Sequence, residues 1–123
     1  MSIEEKLDAI ARHIGYIDYP TDSVECGRYW HTAGHGRSDN IRISKRDWQP
    51  HKSLDLAMSL LHHYRMKLKI DMSAMIVLAT LPGAHSKYEN SHIASIAGDS
   101  VIEINDAICV GIVDAIYYHI ARR

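Results

Sequence analysis

The chain has 123 residues, 46% of them apolar and 24% charged, with a formal net charge of −1. A chain of this size and composition suits one soluble domain with a real core, and no apolar run reaches the length of a membrane span. The opening MSIEEKLDAIARH has early acids and no apolar stretch, so a secretory signal is not expected and the location is read as cytoplasmic.

Ser2 and Glu5 fit a capping box, and Ile3, Leu7, Ile10 and Ile14 recur at three- and four-residue spacing. Gly15 stands where a C′ glycine belongs, so residues 3–14 are expected to form a helix with one apolar stripe. Residues 16–52 are punctuated by Pro20, Gly27, Gly34 and Gly36. Within them VECGRYWHTA is compatible with helix or strand, and NIRIS alternates like a short strand. Pro50 keeps Gln49 out of helical conformation, and Ser53 is the expected N-cap of a second helix. Leu54, Ala57, Met58 and Leu61 would share one face of it, with Leu56 and Leu60 beside them and Trp48 folding back onto it.

Three strands are expected next. KLKIDM points Leu68, Ile70 and Met72 inward, SAMIVLATL is a continuous apolar run, and HIASIAG follows a loop. Ser100 and Glu103 form a second capping-box pattern ahead of a helix from about Val101 to about Ala121, with ends uncertain by roughly 2–4 residues. That helix is apolar nearly all round, so it should be buried on more than one side. A homo-oligomer through this C-terminal helix, or cover from residues 16–52, would supply the second side. The expected fold class is α+β: an antiparallel β-sheet with helices packed on it, α/β/α sandwich-like, with a long C-terminal helix. The expected organisation is a single domain over 1–123, with an N-terminal helix (1–15), a loop-rich basic and aromatic segment (16–52) and a helix–sheet–helix core (53–123).

Charge is unevenly spread. Residues 1–27 carry Glu4, Glu5, Asp8, Asp18, Asp22 and Glu25 against Lys6 and Arg12. Residues 28–52 reverse the sign, with Arg28, Arg37, Arg42, Lys45, Arg46 and Lys52 against Asp39 and Asp47. Such asymmetry can mark an anion-binding face, although a solvated loop beside an acidic helix gives the same count.

DWQPHKSLDLAMSLL, and later IAGDSVIEINDAICVGIVDAI, resembles the phage ABA-sandwich family, small proteins related to phage Nin-region proteins. The matching positions are Trp48, Pro50, Ala57, Met58 and Leu60, then Asp99, Ser100, Ala107, Ile108 and Cys109, within about residues 45 to 120. The chain departs from the family pattern in SHIASIAG, where a tryptophan is often found. The resemblance implies helices on both faces of an antiparallel sheet and a phage or prophage source. It implies no reaction and supplies no catalytic residue.

Chemistry must therefore be sought in the residues themselves. No nucleophile elbow, P-loop or dinucleotide fingerprint is present, and no cofactor is expected. Cys26, His31 and His35 could hold a metal if His31 and His35 shared a helix face, which would make a metal-dependent hydrolase one alternative. A structural role for Cys26 is the plainer reading, and Cys109 reads as a reduced core thiol. GRYWHTAGHGR joins arginines that can fork onto phosphates with aromatic faces that can stack on bases. The candidate ligand-binding residues are Arg28, Tyr29, Trp30, His31, His35, Arg37, Arg46 and Trp48; each tryptophan could equally be a core anchor. The expected function is a phage accessory binding protein, with anti-defence as its expected role, that sequesters a small anionic or nucleotide-like ligand without catalysis. The alternative partner is a host defence protein inhibited by surface contact. Double-stranded DNA is disfavoured by the near-neutral charge and the lack of a helix-turn-helix or basic arm.

Overall fold

The computed structural model describes residues 2–18, 28–32, 40–44, 47–82 and 90–121, with 17–18, 28–32, 40–44 and 90 described by their backbone. The class is α+β. The chain forms two compact units, Met1–Gln49 and Pro50–Arg123.

The first unit opens with helix α1 (Ile3–His13), whose Ser2 hydroxyl accepts from the Glu5 N–H at 3.2 Å. Leu7, Ile10 and Ala11 form its buried stripe, while Ile3 stays 41% exposed. The helix ends in a Schellman motif: Gly15 N–H donates to Arg12 O and Tyr16 N–H to Ala11 O, with Gly15 at φ 105°. A three-stranded antiparallel sheet follows in the order β1 (Ile17–Asp18), β2 (Arg28–Thr32), β3 (Asn40–Ser44). NIRIS is thus a strand, and the ambiguous run before it is extended over RYWHT.

The second unit begins with α2 (Leu54–His63), capped by Ser53, whose hydroxyl accepts from Leu56 N–H at 3.3 Å. Its buried line is Ala57 and Leu60, whereas Met58 is 41% exposed. The core face is therefore rotated away from the stripe expected through Met58. α2 also ends in a Schellman motif, with Arg65 N–H on His62 O and Met66 N–H on Leu61 O. Here the left-handed position is Arg65, at φ 54°, where glycine would carry no Cβ penalty.

The meander β4 (Lys67–Asp71), β5 (Ile76–Leu81), β6 (Asn90–Ser95) is antiparallel, in sequence order. Met72 and Ser73–Met75, expected in the strands, instead form the β4–β5 turn. Asp71 Oδ1 accepts from Ala74 N–H at 3.1 Å and from Ser73 Oγ at 3.0 Å. Those bonds, the Ala74 N–H foremost, hold the Asp71 carboxyl below its ordinary value of 3.8.

α3 (Val101–Ala121) lies along β5 and β6 and also packs against α2. Ser100 caps it: its hydroxyl accepts from Glu103 N–H at 3.2 Å and donates to Glu103 Oε1 at 3.1 Å. The eight buried residues of α3 run from Ala107 to Ile116. Part of its wide apolar surface is thus used inside its own unit, by the sheet on one side and α2 on another, while Val101, Ile102 and Val110 stay exposed. Cys109 is a free, buried thiol whose pKa burial raises, with Asp106 adding to the effect. Among the described residues, no helix is long and apolar enough to cross a membrane.

α3 comes close to the sheet at Gly111. A Cβ built there would sit 3.4 Å from Ala94 Cβ, 3.8 Å from Val77 Cγ1 and 3.9 Å from Ala79 Cβ. One methyl just fits; a branched side chain does not. Gly111→Ala should keep or raise the urea midpoint, because it recovers about 1 kcal/mol of helix propensity. Gly111→Val should lower stability by about 1–3 kcal/mol through overpacking.

Candidate functional site

The residues expected to bind a ligand lie in or beside the first sheet. Its register pairs Arg28 with Ser44, Tyr29 with Ile43, Trp30 with Arg42, His31 with Ile41 and Thr32 with Asn40. β1 adds Ile17 opposite Trp30 and Asp18 opposite Tyr29. Neighbouring strand positions belong to opposite faces, so the sheet sorts the candidates. Arg28, Trp30, Thr32, Asn40, Arg42 and Ser44 hold positions on one face, with Ile17. Tyr29, His31, Ile41 and Ile43 hold positions on the other, with Asp18.

This sorting gathers the positions of two arginines and a tryptophan on the first face. Trp30 and Arg42 are directly opposed, a spacing of about 4.5–5.5 Å between Cβ atoms in antiparallel sheets. Arg28 is two residues from Trp30 on the same strand and face. The second face combines an aromatic position with two isoleucines and an acid, a poorer setting for phosphate. Arg42 is not among the residues expected from sequence to bind a ligand; the alternation of NIRIS is the signal for it, because it puts this arginine in register with the tryptophan of RYWHT.

His31 lies in a strand, so the helical sharing of a face with His35 is not realised: the β2–β3 pairing claims the backbone of His31 for a ladder. Cys26, His35, Arg37 and Arg46 lie outside the described residues. Among the described residues there is no group of three or more metal-ligating side chains.

Trp48 has a different position. It is 3% exposed, and its indole Nε1–H donates to the Leu7 carbonyl of α1 at 2.9 Å. Tyr16 meets the ring edge-to-face, with centroids 5.3 Å apart at 77°, and burial raises the Tyr16 phenol pKa. Its partner is therefore α1, where a fold back onto the second helix was expected. Trp48 fits the core-anchor alternative: its polar handle is occupied and its ring is covered.

The stretch after Trp48 is first a helix start, with Ser53 as its cap. His51 Nδ1 is buried without a hydrogen-bond partner. Burial, and then the Lys52 charge, lowers the His51 pKa from the ordinary 6.5. No family model matches the chain, and no curated protein or solved structure matches it.

Two outcomes test these assignments. Trp48→Phe should cost about 1–2 kcal/mol, from one lost buried hydrogen bond and a small void; it should leave anion binding within about twofold, read by chemical denaturation and calorimetry. The depressed His51 pKa means that the unfolded chain takes up the proton first. Stability contributed by neutral His51 is therefore present above 6.5 and falls as pH drops through that value towards the lower folded pKa. Denaturation midpoints measured across this window should decline less for His51→Phe than for the parent chain.

Proposed function

We propose that this protein binds a small anionic, nucleotide-like ligand on the first sheet, with Arg28 and Arg42 taking phosphate oxygens and Trp30 stacking on a base. The observation that carries the reading is the cross-strand pairing of Trp30 with Arg42, with Arg28 on the same face. Arginine offers a planar fork that matches phosphate geometry, and an indole face stacks on any base. Thr32, Asn40 and Ser44 positions on the same face would supply hydroxyl and amide partners for a sugar or a further phosphate oxygen.

A phage accessory setting for this binding is part of the same proposal, and its support is the resemblance of residues 45–120 to phage ABA-sandwich proteins. Sequestration of a nucleotide-derived defence signal in the host cytoplasm is the biological role that joins the two. No residue is assigned to bond-breaking chemistry.

The test is native mass spectrometry of the purified chain before and after denaturation, followed by calorimetric titration with mononucleotides, linear dinucleotides and cyclic dinucleotides. A released or titrated nucleotide should bind about tenfold or more weakly to Arg28→Ala and to Arg42→Ala, because each removes a charge-assisted contact of about 1.5–3 kcal/mol. His31→Ala, on the opposite face, should bind normally. Absence of saturable binding by every nucleotide class would overturn the reading.

A further inference from the structure

The second sheet has two edges, and they differ. β4 carries exposed Lys67 and Lys69, the usual guard against strand addition. β6 reads Asn-Ser-His-Ile-Ala-Ser and has no lysine, arginine or proline. The ladder also fixes which backbone groups reach its free side. Ile96 N–H donates to Met75 O at 2.8 Å, one step beyond the pairing of Ile76 with Ser95. Antiparallel bonding alternates, so His92, Ala94 and Ile96 face β5. Ser91, Ile93 and Ser95 therefore turn their N–H and C=O groups outward, where they have no backbone partner among the described residues.

That edge borders an open groove of about 320 Å³ between β6 and α3. Its floor and walls include Ile93, Ser95, Glu103, Asp106, Val110 and Asp114. α3 runs antiparallel to β6: Gly98 lies by Glu103, Ala94 by Gly111, and His92 by Asp114 and Tyr118. The helix side of the groove is thus a stripe of three acids, of which Asp114 also faces His92 Nε2 at 3.6 Å, parallel to a strand edge with no backbone partner among the described residues. Val110, 40% exposed, adds an apolar contact on the helix side, and Ile93, 58% exposed, stands at the same edge on the opposite face of the strand.

We propose that β6 and α3 form a docking groove for an extended, basic peptide segment of another protein, added as a fourth strand beside β6. Backbone bonds to Ser91, Ile93 and Ser95 would hold it, as in strand addition generally. Alternate side chains of the guest fall on the helix side and meet Glu103, Asp106 and Asp114, so those positions are lysine or arginine. The intervening side chains fall beside Ile93 and are apolar. Asp106 and Asp114 are eight residues apart on α3, about 12 Å, the span of roughly 3.5 strand residues. Cations four residues apart in the guest match that interval. A second copy of this chain is a poorer occupant, because two-fold pairing of β6 with β6 would set the same acids against each other. The proposal is independent of the anion site in the first unit.

The experiment uses the full chain and a fluorescein-labelled peptide of alternating lysine and valine, read by polarisation. Saturable binding is expected, weakening with salt and falling about tenfold or more with Asp106→Lys. Ile93→Lys, which guards the edge, should also abolish it while circular dichroism stays native. The same peptide N-methylated on its backbone amides keeps its charge but cannot extend the ladder, and should not bind. The proposal is overturned by absence of saturable binding, by equal binding of the methylated peptide, or by a solution dimer that Ile93→Lys dissociates.

Discussion

The seating of α3 on the second sheet at Gly111 governs much of what the larger unit can do. A glycine in mid-helix costs roughly 1 kcal/mol against alanine, yet here it stands over three small or branched neighbours, Val77, Ala79 and Ala94. Close approach at this point defines the inner face of the meander. Val77, Ala79, Leu81 and Ala94 become core, and Leu78 and Ile93 are left on the far side. The same approach leaves α3 along β6 rather than over the sheet centre alone. That position gives the helix a second side to share with α2, and it brings the acidic stripe beside an open strand edge.

The first unit works by a different constraint. Its sheet alternates, and alternation divides a cluster that looks continuous in the sequence. GRYWHT reads as one polar aromatic string, but its members serve two faces. Only the pairing with NIRIS shows which cross-strand positions share a face with each of them. The indole of Trp48, meanwhile, ties the end of this unit back to α1 through Leu7. Two tryptophans of similar setting in the sequence therefore have different duties: Trp48 closes a core, and Trp30 holds a position between two arginines.

Local signals in the sequence were reliable where the chemistry is local. Ser2, Ser53 and Ser100 cap their helices as their spacing implies, and Gly15 closes α1. The three-strand meander and the long last helix follow from alternation and apolar runs. Other features depend on partners that are distant in the chain. The inward face of α2 centres on Ala57 and Leu60, and Met58 could be placed only once α3 lay beside it. The turn at Met72–Met75 interrupts an apolar run because Asp71 captures the Ala74 N–H, a bond that hydropathy does not register. The apolar girth of α3 suggested a second subunit, but α2 and the sheet already use two of its sides. Strand order, which decides that β6 is an edge, has no counterpart in composition.

Arg65 gives the helix-to-strand junction a further property. Its left-handed turn closes α2, and β4 starts two residues later, so the junction sets the phase of the strand as well as its direction. Leu68 and Ile70 pair with Ala79 and Val77 on the helix side, while Lys67 and Lys69 pair with Thr80 and Leu78 on the far side. Adding or deleting one residue between Tyr64 and Lys67 would exchange these sets and bring the lysines onto the face that now holds half-buried Leu68. The length of this corner is therefore a stronger constraint on the strand than the identity of its exposed side chains.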